Sequence, residues 1–194
     1  RIAALADTDP DALRRVADRV GPERTASDYR ELVDDPTLDA IAVCVPAQVH
    51  AEVALAAIGA GKHVFVEKPL ALSLPDCDRM VDAAARAGVC AMVGFNSRRH
   101  AQVQRARDAI RRGELGTIDV VQSRLTSFHA TVPAWHERRA TGGGVLMELA
   151  IHHVDLWRWL TGDEVDEVFA YARTGEREDE SAVLVARLGS GALA

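Results

Sequence analysis

Two clusters in this chain combine residue types that move protons or polarise hydroxyl groups. The first is Glu67-Lys68-Pro69, which follows the apolar run His63-Val-Phe-Val66. Only Lys62 and Lys68 among the 23 basic residues are lysines; the rest are arginines. An ammonium can be tuned by its surroundings, whereas a guanidinium stays charged and planar. Pro69 biases Lys68 toward extended backbone, so the lysine projects from a strand end, and a cis Lys68–Pro69 bond would aim it further. A surface Lys–Glu pair is the plain alternative.

The second cluster runs from Gly142-Gly-Gly144 through Glu148, His152, His153 and Asp155 to Leu160. On one helix, Glu148, His152 and Asp155 fall at i, i+4 and i+7 and share a face. An imidazole titrates near neutrality, and flanking carboxylates fix its tautomer and raise its proton affinity, which suits a general base. His153 points about 100° away and reads as a packing or surface residue. A zinc site built from these carboxylates and imidazole, with His129 and His136 as further ligands, is the competing idea, but the spacing is unconvincing and no metal is expected. The triple glycine follows no buried strand, so it is expected to allow close backbone approach and not to cradle a phosphate.

The elements that must hold these clusters are legible in outline. Ile2–Ala6 reads as a strand ending at Asp7, and Asp9-Pro10 caps a helix to Val20. A second helix is expected from Ser27 to Val33. Ala40–Val45 is a strand buried on both faces, stopped by Pro46, and a helix over 50–60 ends at Gly61. The strand His63–Val66, a helix capped by Ser73 to Ala87, and the strand Val89–Val93 complete an alternation typical of a parallel sheet with crossover helices. Past Gly94-Phe-Asn96 the pattern changes. A helix over 98–112 precedes an alternating run, Ile118–His129, expected as an antiparallel strand. Val165–Arg173 and Ser181–Leu188 read as its companions. Between them lie a loop over 133–144 and a helix over 145–160. The boundary is set near residue 97, giving domains 1–97 and 98–194.

Bulk properties narrow the function. The chain has 194 residues, a net charge of −6, 48% hydrophobic and 27% charged residues. That is ordinary for a globular protein and disfavours nucleic-acid binding, which needs clustered cations. The pairs Arg98-Arg99, Arg111-Arg112 and Arg138-Arg139 read as solvated helix faces. Cys44, Cys77 and Cys90 lack C-x-x-C spacing and suit reduced thiols in a cytoplasm. No apolar run reaches the roughly 20 residues of a membrane span. The chain starts at Arg1, inside a strand-like run, so its first residue says nothing about a signal peptide.

Individual positions suggest a dinucleotide. Asp7 ends a strand where, in a dinucleotide-binding unit, an acidic residue bonds the adenosine ribose hydroxyls. Its charge would repel a 2′-phosphate, which favours NAD over NADP. A helix cap is the plain reading of the same aspartate. Pro46 to His50 lies at a strand's carboxyl end, where ligands sit in open α/β sheets, or it is a simple turn.

The order of these motifs resembles the Gfo/Idh/MocA oxidoreductases. The resemblance rests on Asp7, Cys44-Val45-Pro46 with His50, Gly61 through Glu67-Lys68-Pro69-Leu70, Gly94-Phe-Asn96, Gly113-Glu-Leu-Gly116, and Gly142-Gly-Gly with Glu148, His152 and Asp155. It implies an α/β fold: a Rossmann-like parallel sheet, then an α+β domain with a mainly antiparallel open sheet that builds homo-oligomers. It implies an NAD(P)-dependent oxidoreductase acting on a sugar, cyclitol or related polyol. Lys68 then binds and polarises the substrate hydroxyl, His152 takes its proton, and Glu148 assists. Asp7, Pro46, His50, Glu67, Lys68 and Asn96 are the expected cofactor contacts, and Trp135, Glu148, His152 and Lys68 the substrate contacts, with Phe128 and His136 nearby. The family's usual Asp and Gly are Glu148 and Ala150 here. The resemblance also places the first strand, Gly-rich loop and first helix upstream of Arg1 and more sheet downstream of Ala194. These residues alone are therefore expected to turn over feebly or not at all. A non-catalytic ligand sensor on the same fold is the rival reading.

Overall fold

The computed structural model describes residues 1–126 and 133–194. The chain forms two compact units, Arg1–Gly94 and Phe95–Ala194.

Unit one has five strands, all paired in parallel. β1 (Ala4–Ala6) pairs with β2 (Arg24–Ala26), and β4 (His63–Val66) lies between β3 (Ala40–Val43) and β5 (Ala91–Val93). Helix α1 (Pro10–Val20) begins where Asp9 accepts from the Asp11 and Ala12 amides and ends at Gly21 in the left-handed region. Those hydrogen bonds lower the Asp9 carboxyl below its usual range. Helix α2 is shorter than expected, Arg30–Val33, because Asp28 accepts from the Arg30 amide and delays the start.

Helices α3 (His50–Gly59) and α4 (Leu74–Ala87) pack against each other, and α3 also packs against β3 and β4. Their shared core holds Val43, Val53, Ala57, Ile58, Val64, Val66 and Met80. Alanine-rich α3 lets helix and sheet approach closely. Lys62 is buried because its ammonium donates to the Asp35 and Leu38 carbonyls, 2.6 and 2.8 Å away. It ties the loop before β3 to the turn before β4, which is why one of the two lysines stands here.

Unit two opens with a 3-10 turn, Asn96–Arg99, and α5 (Ala101–Arg111), where a single longer helix was expected. The expected strand over 118–129 is corrected. Residues 118–126 form only a bridge, Val120 to Leu193, and Ser127 to His129 lie outside the described residues. Alternation suits a strand, but a ladder needs a neighbour, and the two long strands here pair with each other. These are β6 (Val165–Arg173) and β7 (Ser181–Leu188), antiparallel, with the bounds the sequence suggests. Trp157 donates to Ser123 Oγ at 3.0 Å, fastening the 118–126 segment to α6 (Ile151–Thr161). Among the described residues no helix is long and apolar enough to cross a membrane.

Candidate active site

In unit one the candidate groups gather at the carboxyl ends of the parallel strands. The register aligns Val43 with Val66 and Val66 with Val93, so Cys44, Glu67 and Gly94 emerge side by side. The Glu67 amide donates to Val43 O at 3.0 Å and the Gly94 amide to Val66 O at 2.8 Å. The Glu67 carboxylate folds back to accept from the Lys68 amide at 3.2 Å. A Cβ on Gly94 would stand 2.9 Å from that carboxylate, so glycine is what lets Glu67 occupy this position. Partial burial, then the Glu67 charge, push the neighbouring Cys44 thiol up.

Lys68 is half-buried and its peptide bond to Pro69 is cis. His50, only 1% exposed, explains how that turn is held. Its Nδ1 lies 2.7 Å from Pro69 O and its Nε2 2.8 Å from Val45 O. His50 thus props the Lys68 turn against the Pro46 loop. Asp7 sits exposed just past β1, with one carboxylate oxygen accepting from the Asp9 amide at 2.9 Å. Pro46 is half-buried, and its carbonyl accepts from the Val49 amide at the entry to α3.

In unit two the expected uniform helix is interrupted. Residues Leu146–Ala150 form a π-helical turn, and the α-helix proper begins at Ile151. Such turns bond i to i+5 and occur often at functional sites. The Glu148 carboxylate stands 3.9 Å from His136 Nδ1, and His136 stacks on Trp135 with ring centroids 3.7 Å apart. His152 lies in the first turn of α6, with the Phe95 ring edge-on at 6.3 Å. Asn96 is exposed at the start of its 3-10 turn.

Two sequence expectations are corrected here. Asp155 does not serve as a simple flanking acid: it is 4% exposed, and both its carboxylate oxygens bond Arg98. Arg98 is accordingly not part of a solvated face. Arg139 stays exposed, as expected, while pairing with the buried Asp179 through two 2.7 Å bonds. His153 is half-buried, and desolvation holds its imidazole below the usual histidine range. The glycines act as expected. A Cβ at Gly143 would overlap the His136 carbonyl, and Gly144 has φ +86° against Glu178 and Asp179.

Comparison with known proteins decides the family. Residues 1–95 match the model for the oxidoreductase family with an NAD-binding Rossmann fold, and residues 103–194 match the Gfo/Idh/MocA C-terminal domain. The chain belongs to the Gfo/Idh/MocA oxidoreductases. It is 36% identical over 197 residues to a myo-inositol 2-dehydrogenase of Thermotoga maritima, a match covering 98% of this chain and 58% of that protein. A crystal structure of a probable dehydrogenase from Thermotoga maritima superposes with TM-score 0.86 at 36% identity, over 100% of this chain and 60% of that one. A levoglucosan dehydrogenase in complex with NADH and levoglucosan gives TM-score 0.86 at 29% identity, over 98% of this chain and 55% of that one. The chain thus spans between half and two thirds of these relatives' length.

Proposed function

We propose that the intact protein is an NAD-dependent dehydrogenase or reductase of a sugar, cyclitol or related polyol. In this reading residues 1–97 contribute to the dinucleotide-binding domain and 98–194 to the substrate domain. The observation that carries it is Lys68, raised at the ligand-binding edge of a parallel sheet on a turn fixed by Glu67, Gly94 and His50. A surface ion pair would not need that scaffolding.

The residues present fit a dinucleotide. Asp7 offers an exposed carboxylate at a strand's carboxyl end, the group that accepts from ribose hydroxyls, and its charge disfavours a 2′-phosphate. Pro46, His50, Glu67, Lys68 and Asn96 complete the set proposed to line that cofactor. Bound nicotinamide supplies the hydride-accepting or hydride-donating carbon. The remaining work belongs to the chain. Lys68 donates a hydrogen bond to the substrate oxygen and stabilises charge growing there. His152 takes the hydroxyl proton in oxidation and returns it in reduction. Glu148, held beside His136 and Trp135, binds substrate hydroxyls. The family match supports an enzyme over a binding sensor, as does the presence of both Lys68 and His152.

We also place the protein in a reducing cytoplasm, a reading supported by three free thiols. Homo-oligomer formation is supported by the outward face of β6 and β7, where Phe169 is 60% and Tyr171 73% exposed. A spectrophotometric screen of the intact protein with NAD and NADP against inositols, aldoses and deoxy sugars tests the function. Turnover of at least one polyol with NAD preferred is expected. Binding of NAD without turnover of any would favour the sensor.

A further inference from the structure

Asp155 follows His152 by three residues, one turn along α6. A carboxylate so deeply buried needs a matched cation. Arg98 supplies it from the 3-10 turn after Phe95: its Nε lies 3.1 and 2.9 Å from the two carboxylate oxygens, and Nη2 bonds one of them. The two-point grip fixes the plane of the guanidinium as well as its position. The same guanidinium lies 5.4 Å from the Phe95 ring centroid and 4.7 Å from that of Trp159, whose ring also takes Arg107 at 3.6 Å. Arg98 is thus clamped between a buried anion and two aromatic rings. Phe95 in turn meets His152 edge-on, at an interplanar angle of 86°, a geometry aromatic pairs prefer.

We infer that Phe95 and Arg98 are positioning residues for the His152 imidazole, with Asp155 as the anchor that holds Arg98 against Phe95. The inference rests on the reading of His152 as the proton-transfer group. The ring edge restricts rotation of the imidazole, and the arginine restricts the ring. Lysine cannot substitute, because a point charge neither forks onto Asp155 nor stacks on Phe95.

The test uses Arg98→Lys, Phe95→Leu and Phe95→Tyr in the intact protein. Two quantities are read: kcat and KM across pH, and the titration of the His152 ring by nitrogen-edited NMR, assigned by its loss in His152→Asn. Displacement of a reacting group by about 1 Å can cost a hundredfold in rate. Arg98→Lys and Phe95→Leu should therefore lower kcat about tenfold to a hundredfold, with KM within about twofold. Both should move the His152 ring resonances and titration midpoint, while Phe95→Tyr, which keeps the ring, stays near the parent. The titration does not depend on turnover, so it still reports positioning if His152 proves not to be the base. An unchanged His152 titration and pH profile in Arg98→Lys and Phe95→Leu overturns the inference, even if either variant melts earlier.

Discussion

Lys68 and His153 show how one side chain's setting decides its chemistry. Lys68 stands on a turn whose backbone is fixed from two sides, by the Glu67 carboxylate and by His50 against the Pro69 carbonyl. Its proposed role needs a compact donor at one point. Lys68→Arg keeps the charge but spreads it over a plane. The intact protein should then lose about 10²-fold or more in kcat, the scale of one lost transition-state hydrogen-bond donor. Comparable turnover in the arginine variant would contradict the role. His153 differs: desolvation lowers its pKa from the usual 6.5. Above 6.5 both folded and unfolded chains hold it neutral. As pH falls below that value the unfolded chain binds the proton first, so stability is lost through the window down to the depressed folded pKa. Between pH 7.5 and 5.5 the melting temperature should therefore fall further in the parent than in His153→Gln. Equal falls would count against this linkage.

At the scale of elements, the glycine-rich entry to the π turn is the most constrained stretch. A methyl at residue 143 meets backbone rather than a movable side chain. Gly143→Ala should therefore destabilise by about 1–3 kcal/mol, as overpacking does, readable by denaturant titration. Breaking the Arg98–Asp155 pair should cost more, about 3–5 kcal/mol, because a buried charge is left alone. Most strands were legible because apolar runs and alternation report burial directly; β2, only Arg24-Thr-Ala26, has no apolar run to mark it and was missed. His63–Val66, Val165–Arg173 and Ser181–Leu188 fell where their patterns put them. The strand over 118–126 did not, since alternation cannot say whether a neighbour exists to complete a ladder. Lys68, Glu148 and His152 were singled out by type and spacing, but their surroundings were not legible. A π turn leaves no mark on an apolar pattern of period 3.6. Arg98 and Asp155 are 57 residues apart, a pairing only the fold reveals. His136 was noticed as a possible ligand, yet nothing in the sequence pointed to Glu148 as its neighbour.

For the whole molecule, the outer face of β6–β7 and the proton-transfer pair carry the remaining expectations. Phe169 opposite Val185 and Tyr171 opposite Val183 make an exposed apolar patch bordered by Glu167 and Arg187. If this patch joins subunits, Phe169→Asp with Tyr171→Asp should lower the mass seen by sedimentation of the intact protein. An unchanged mass would remove β6–β7 from the interface. The proposed oxidation or reduction of a polyol with His152 moving the proton is tested most directly by single-turnover hydride transfer in His152→Ala of the intact protein. NAD binding should persist while the transfer rate drops by about 10²–10⁴-fold, the usual contribution of a positioned base. A transfer rate equal to that of the parent would contradict it.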